Sequence, residues 1–169
     1  GPGPVLVNTG TLQASQVNLL ARVPTGSSAI ALNMGGVIVA DTLVANAGGG
    51  ALAVGANIQA TQTSLISDGS LQQTGGTIDT NTLALQTGGG ASLNASGNTI
   101  SFIEGSVGTS LVLSNNRALS QLGALSVGGD ATFNNGPHAI TLSNANNTFS
   151  GGVRLEGGTT TIANNGVLK

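Results

Sequence analysis

Two stretches decide how this chain folds: Gly36 to Ala51, GVIVADTLVANAGGGA, and Gly76 to Ala91, GTIDTNTLALQTGGGA. Laid over each other at an offset of 40, they share eight of sixteen positions. Four of these are the low-complexity GGGA. The other four, Gly36/Gly76, Ile38/Ile78, Thr42/Thr82 and Leu43/Leu83, are spread through the stretch and carry the repeat. A degraded copy lies halfway between: Ile58 stands midway between Ile38 and Ile78, Leu65 falls near the midpoint of Leu43 and Leu83, and Asp68-Gly69 replaces the triple glycine. The unit is therefore about 20 residues, a period that means a solenoid.

The local pattern selects which solenoid. Apolar residues alternate with small polar ones at Leu52/Val54, Leu111/Leu113, Leu125/Val127, Ala131/Phe133, Ile140/Leu142 and Val153/Leu155. That is the period of a strand with one buried face. Lys and Glu, the charged helix formers, are nearly missing. Gly35-Gly36, Gly75-Gly76, Asn115-Asn116, Gly128-Gly129, Asn134-Asn135-Gly136, Asn146-Asn147, Gly151-Gly152 and Asn164-Asn165 punctuate the runs. Glycine and asparagine are expected there to supply the positive backbone angles of tight corners. Pro137, without an amide hydrogen for a ladder, belongs in the corner that Asn134 begins. The fold expected is all-β, a single-stranded parallel β-helix of roughly eight coils, about 40 Å long at the ~4.8 Å strand spacing. The triple glycines Gly48 to Gly50 and Gly88 to Gly90 become corners on one edge, two coils and about 10 Å apart, after which Leu52 and Leu93 open the next strands. The leucine-rich repeat is the rival at this period, but its L-x-x-L-x-L spacing is not sustained.

Composition fits the same answer. Of 169 residues, 28 are Gly and only 6% are charged, which on its own suggests disorder; yet 39% are hydrophobic, enough for a core. The net charge of -2 comes from charges scattered singly, so the chain offers no basic stripe for nucleic acid and no polybasic patch for a membrane surface. No apolar run is long enough for a membrane helix, so no membrane insertion of this segment is expected. Cysteine is absent, which removes disulfides, thiol catalysis and cysteine zinc sites. Gly1-Pro2 resembles the scar of a 3C-type protease cleavage, and the pattern is still running at NNGVLK. Residues 3–169 are read as one β-helix segment of a longer protein.

Each constellation that catalysis needs fails on a particular residue. Gly50 to Gly55 is followed by Ala56-Asn57 where a phosphate-binding loop requires Lys and Ser or Thr. Gly48, Gly50 and Ala53, with Asp68 further on, meet a relaxed dinucleotide spacing, but ALAVGANIQATQTS has no helical period to follow the glycines. His138 is the only histidine, with Asp130 and Glu156 the nearest acids, and no G-x-S-x-G frames a serine. The six acids Asp41, Asp68, Asp79, Glu104, Asp130 and Glu156 are spread singly along the chain, no two closer in sequence than Asp68 and Asp79. Asp41 and Asp79 are about two coils apart, so they would stand ~10 Å from each other, where a paired glycosidase site needs about 5 to 9.5 Å. Gly128-Gly129-Asp130 lacks the remainder of a calcium nonapeptide. No catalytic, cofactor-binding or metal-binding residue and no cofactor is therefore assigned. Asn94-Ala95-Ser96 and Asn146-Asn147-Thr148 are sequons that a chain rich in Asn and Ser produces by composition.

The run GTIDTNTLALQTGGGASLNASGNTI, with VGGDATFNNGPHAITLSNANNTFSGGVRL, resembles the filamentous-haemagglutinin-like two-partner secretion exoproteins and autotransporter passenger domains of Gram-negative bacteria. The resemblance implies a right-handed β-helix that is secreted or held at the outer-membrane surface. It also implies a structural or adhesive shaft that engages an outer-membrane transporter during secretion and a host or neighbouring-cell receptor or glycan afterwards. A β-helix polysaccharide lyase or hydrolase, whose acids and bases would converge in a groove, and a trimeric phage fibre module are the alternatives.

Overall fold

Alternation with glycine punctuation produces strands and little else. The computed structural model describes residues 4–27 and 29–169, so the expected scar at Gly1 and Pro2 lies outside the described residues. In chain order the strands are β1 Leu6–Asn8, β2 Thr11–Leu20, β3 Ile30–Met34, β4 Val37–Asn46, β5 Ala51–Val54 and β6 Asn57–Ser67. Then come β7 Leu71–Gln73, β8 Ile78–Thr87, β9 Ala91–Leu93, β10 Thr99–Val107, β11 Leu111–Ser114 and β12 Leu125–Val127. Last are β13 Ala131–Asn134, β14 Ile140–Leu142, β15 Thr148–Phe149, β16 Val153–Glu156 and β17 Thr160–Ile162. Every ladder is parallel. One sheet runs β1-β3-β5-β7-β9-β11-β13-β16, a second β15-β12-β10-β8-β6-β4-β2, and β14 pairs with β17. The protein is thus a parallel β-solenoid of about seven turns that keep the period expected from the sequence. It falls one turn short of the expected eight because the last turn contributes no strand to the second sheet.

Each long strand of the second sheet bends once. In β4, Ile38 and Ala40 point inward, Asp41 and Thr42 both face outward, and Leu43 and Ala45 point inward again. Two successive outward residues turn the strand about the core, so the second sheet forms two faces and the first sheet a third. The isoleucine ladder read from the sequence is in register: Ile38 pairs with Ile58 and Ile58 with Ile78. The leucine ladder is corrected. Thr63, not Leu65, stands between Leu43 and Leu83, while Leu65 stacks on Ala45 and Leu85. Thr63 is buried at 2% exposure and tolerated because its hydroxyl donates to Thr80 Oγ1 at 3.0 Å.

The triple-glycine corners share one edge, as expected, with Asp68-Gly69 between them: Asp68 N donates to Gly48 O, and Gly88 N to Ser67 O. A Cβ on Gly88, Gly108 or Gly128 would overlap the carbonyl oxygen of Asp68, Gly88 or Gly108 respectively, so the edge is built as a glycine column. The strands that follow the two corners are not equivalent, however. Leu52 pairs with Leu71 and Leu71 with Ala91, so Ala91 and not Leu93 occupies Leu52's column. The first turn is longer than the rest, since Leu6 pairs with Leu32 and Leu20 still pairs with Asn46, so the extra chain lies between β2 and β3; β3 separately carries a one-residue register shift against β5 between Ile30 and Leu32.

Asparagine plays a part the sequence reading did not assign. Among the described residues no residue other than glycine has a positive φ. Asn98, Asn115, Asn135 and Asn147 are instead buried, and they hold the corners with their side chains. Asn98 Oδ1 accepts from Gln73 Nε2 and Ile78 N, both at 2.9 Å, and Asn98 Nδ2 donates to Gln73 Oε1 at 2.9 Å. Asn147 repeats this geometry: Oδ1 accepts from Gln121 Nε2 at 2.7 Å and Leu125 N at 2.9 Å, and Nδ2 donates to Gln121 Oε1 at 2.9 Å. The equivalence continues into Asn115 and Asn164, whose Oδ1 atoms accept from Ile100 N and Phe149 N at 2.7 Å. The step from Asn98 to Asn147 equals the step from Asn115 to Asn164. That shared offset is two turns plus part of a third, so one clamp closes two different edges of the solenoid.

Candidate functional site

The bend of the second sheet is where the surface carries most of its chemistry. Ser15, Asp41, Thr61 and Asn81 occupy the bend on successive turns and are exposed. Beside them runs an open groove of about 420 Å³ that includes Asp41, Gln59, Asp79, Asn81 and Arg117. A second depression extends it past Ser15 towards the first turn. Three of the chain's ten charged Lys, Arg, Asp and Glu residues therefore border one groove on an otherwise nearly neutral surface.

Arg117 Nη2 lies 3.5 Å from Asp79 Oδ1, and Arg117 Nη1 reaches Thr99 O and Ser101 Oγ at 3.4 Å. Asp79 Oδ1 also accepts from Thr99 Oγ1 at 2.9 Å. The ion pair is half exposed, with side chains 42% and 50% accessible, so it fastens three turns locally and adds little to stability. Asp41 sits on β4 and Asp79 on β8, with β6 between them. Two strand spacings separate them by about 10 Å along the axis, outside the range of a glycosidase pair.

The remaining candidates are dispersed. Asp68 sits in the glycine corner, and Asp130 Oδ1 accepts from Gly152 N of the next turn at 2.8 Å. Glu156 pairs with Arg154 on β16. Glu104 borders a separate depression of about 300 Å³ with Thr42, Gln62, Thr82 and the exposed Leu122. His138 occupies the corner with Pro137 and places Nε2 3.1 Å from Asn116 Oδ1. Gly48 to Gly50 lead into the strand β5, so the helix that a dinucleotide site requires is not there. Asn94 and Asn146 are both exposed. Among the described residues no three His, Asp or Glu side chains gather closely enough to hold a metal ion. Arg117 is the groove residue that sequence reasoning misses. The step from Asp79 to Arg117 equals the step from Asp41 to Asp79, and that regularity is its one visible signal.

The fold and this surface define a repeat protein of the parallel β-solenoid class. Within it, residues 93–156, less than half of the chain, match the model of repeats of unknown function (DUF5649). The matched stretch contains the whole Gln121–Asn147 clamp and the Asn98 side of the other, whose partners Gln73 and Ile78 precede it. The chain matches no curated protein and no solved structure.

Proposed function

We propose that the chain is a non-catalytic shaft segment of a large bacterial exoprotein, carried to the outer-membrane surface of a Gram-negative cell or secreted from it. It spaces or presents other parts of that protein and offers its polar faces for adhesion to a receptor or glycan on a host or neighbouring cell. The observation carrying this reading is the ladder itself: about seven turns of parallel pairing, with shallow outer faces of Ser, Thr, Asn and Gln. The ~10 Å spacing of Asp41 and Asp79, and the engagement of Asp79 by Arg117 and Thr99, favour a shaft over a glycosidase.

The test has two parts. Protease shaving of intact cells that produce the protein is expected to release peptides of this chain, and recovery only from the cytoplasm would overturn the exoprotein reading. Incubating the purified chain with a panel of polysaccharides is expected to give no cleavage products. Turnover abolished by Asp79→Asn would replace the shaft with an enzyme.

A further inference from the structure

The chain contains two Asn-Gly dipeptides, Asn135-Gly136 and Asn165-Gly166, and the fold treats them oppositely. We propose that Asn165 is a site of spontaneous deamidation and that the solenoid protects its sequence twin, Asn135. In this reaction the glycine nitrogen loses its proton and attacks Cγ of the asparagine. The new N–C bond closes a five-membered succinimide while the Cγ–Nδ2 bond breaks and ammonia leaves. Water then opens the ring at either carbonyl, giving aspartate or isoaspartate. Glycine favours ring closure because no Cβ obstructs the approach.

Asn135 is 1% exposed, and its Nδ2 donates to Arg117 O and Ala139 O, both at 2.8 Å. Gly136 N, the would-be nucleophile, donates to Asn134 Oδ1 at 3.3 Å. Closing the ring there requires breaking these contacts and opening the corner. Asn165 is exposed, and among the described residues neither its side chain nor Gly166 N makes a hydrogen bond. Its tie to the fold is Asn165 N donating to Asn147 O at 2.7 Å. Asn116, at the equivalent point of the earlier clamp, makes the same 2.7 Å bond to Asn98 O and is likewise exposed, with its Oδ1 3.1 Å from His138 Nε2. Asp68-Gly69 is able to isomerise through the same ring, but Gly69 N donates to Ser67 Oγ at 3.0 Å, which places it with the protected sites. Conversion at Asn165 adds one carboxylate to a chain of net charge -2.

The experiment is peptide mapping by mass spectrometry of the folded chain aged in mildly alkaline buffer, with isoaspartate scored by enzymatic methylation. A parallel sample is aged in urea. In the folded chain Asn165 is expected to convert at least about tenfold faster than Asn135, because exchange-like chemistry at a buried corner proceeds through local opening. In urea the two rates are expected to converge, since both are Asn-Gly. Equal rates in the folded chain overturn the proposal, and so does a preference for Asn165 that persists undiminished in urea.

Discussion

Between Thr11 and Val107 the chain rounds its middle corner with backbone; beyond Leu111 it does so with side-chain amides. The five strands β2, β4, β6, β8 and β10 pass through the bend unbroken, with small residues such as Ala40 and Ala60 on the inside and only the bend residues outside the ladder. After β10 this fails. Phe102 pairs with Ser120 and Gly105 with Leu125, so extra chain intervenes, and the strand splits into short pieces on either side of Gln121 to Ala124. The split exposes backbone groups that the ladder would otherwise have paired. The Gln121–Asn147 clamp supplies partners for Leu125 N and Ala163 O and a second donor for Leu142 O, which already accepts from Ala163 N. At this corner, where ladder hydrogen bonds are lost, the amide of Asn147 takes their place with both its oxygen and its nitrogen engaged.

This contrast breaks first at Gly105, where the unbroken strands end. Its φ is 119° and a Cβ would overlap Leu85 O. Gly105→Ala is expected to cost about 4 kcal/mol through strain and clash together, measured by urea unfolding. In the bent-strand half, Ile58→Ala removes the middle rung of the isoleucine ladder and is expected to cost about 3 kcal/mol by the same assay. Asn98→Ala and Asn147→Ala test the clamps as a pair. The first strands the buried Gln73 amide and Ile78 N, the second the half-buried Gln121 amide and Leu125 N, so losses of about 2 kcal/mol are expected. If the two clamps are one device, the losses will agree; a large difference separates the two edges. The smallest effect is expected at the groove. Arg117→Ala removes the half-exposed pair with Asp79 and should shift stability by less than about 1 kcal/mol, with the difference shrinking in high salt.

The bent-strand half was legible because its repeat is written in large apolar residues at constant spacing. Ile38, Ile58 and Ile78, together with the glycine corners, are enough to set the fold and the register of the isoleucine ladder, though not that of the columns of Leu43 and Leu52. Legibility faded where the core becomes polar. Thr63 interrupts the leucine column, and its burial depends on the hydroxyl of Thr80, a partner that no spacing rule reveals. The Asn pairs were correctly placed in corners, but for the wrong reason: an Asn turning by positive φ and an Asn clamping by its amide look the same in one sequence. The groove was half visible. The Asp41 to Asp79 spacing was there to read, but Arg117 joins it only because the corner after β11 aims its side chain back across two turns.

Residues paired along the ladders are never separated by much more than one turn of chain, from the short step of Leu52 to Leu71 to the long one of Leu6 to Leu32. Among the described residues no turn needs a ladder partner from farther along the chain. The closure entropy of each added turn is therefore the same however long the rod becomes, and the rate of growth does not suffer with length. A finished turn is a template whose exposed edge dictates the next, so a chain delivered one end first is able to lock into shape behind its own leading segment.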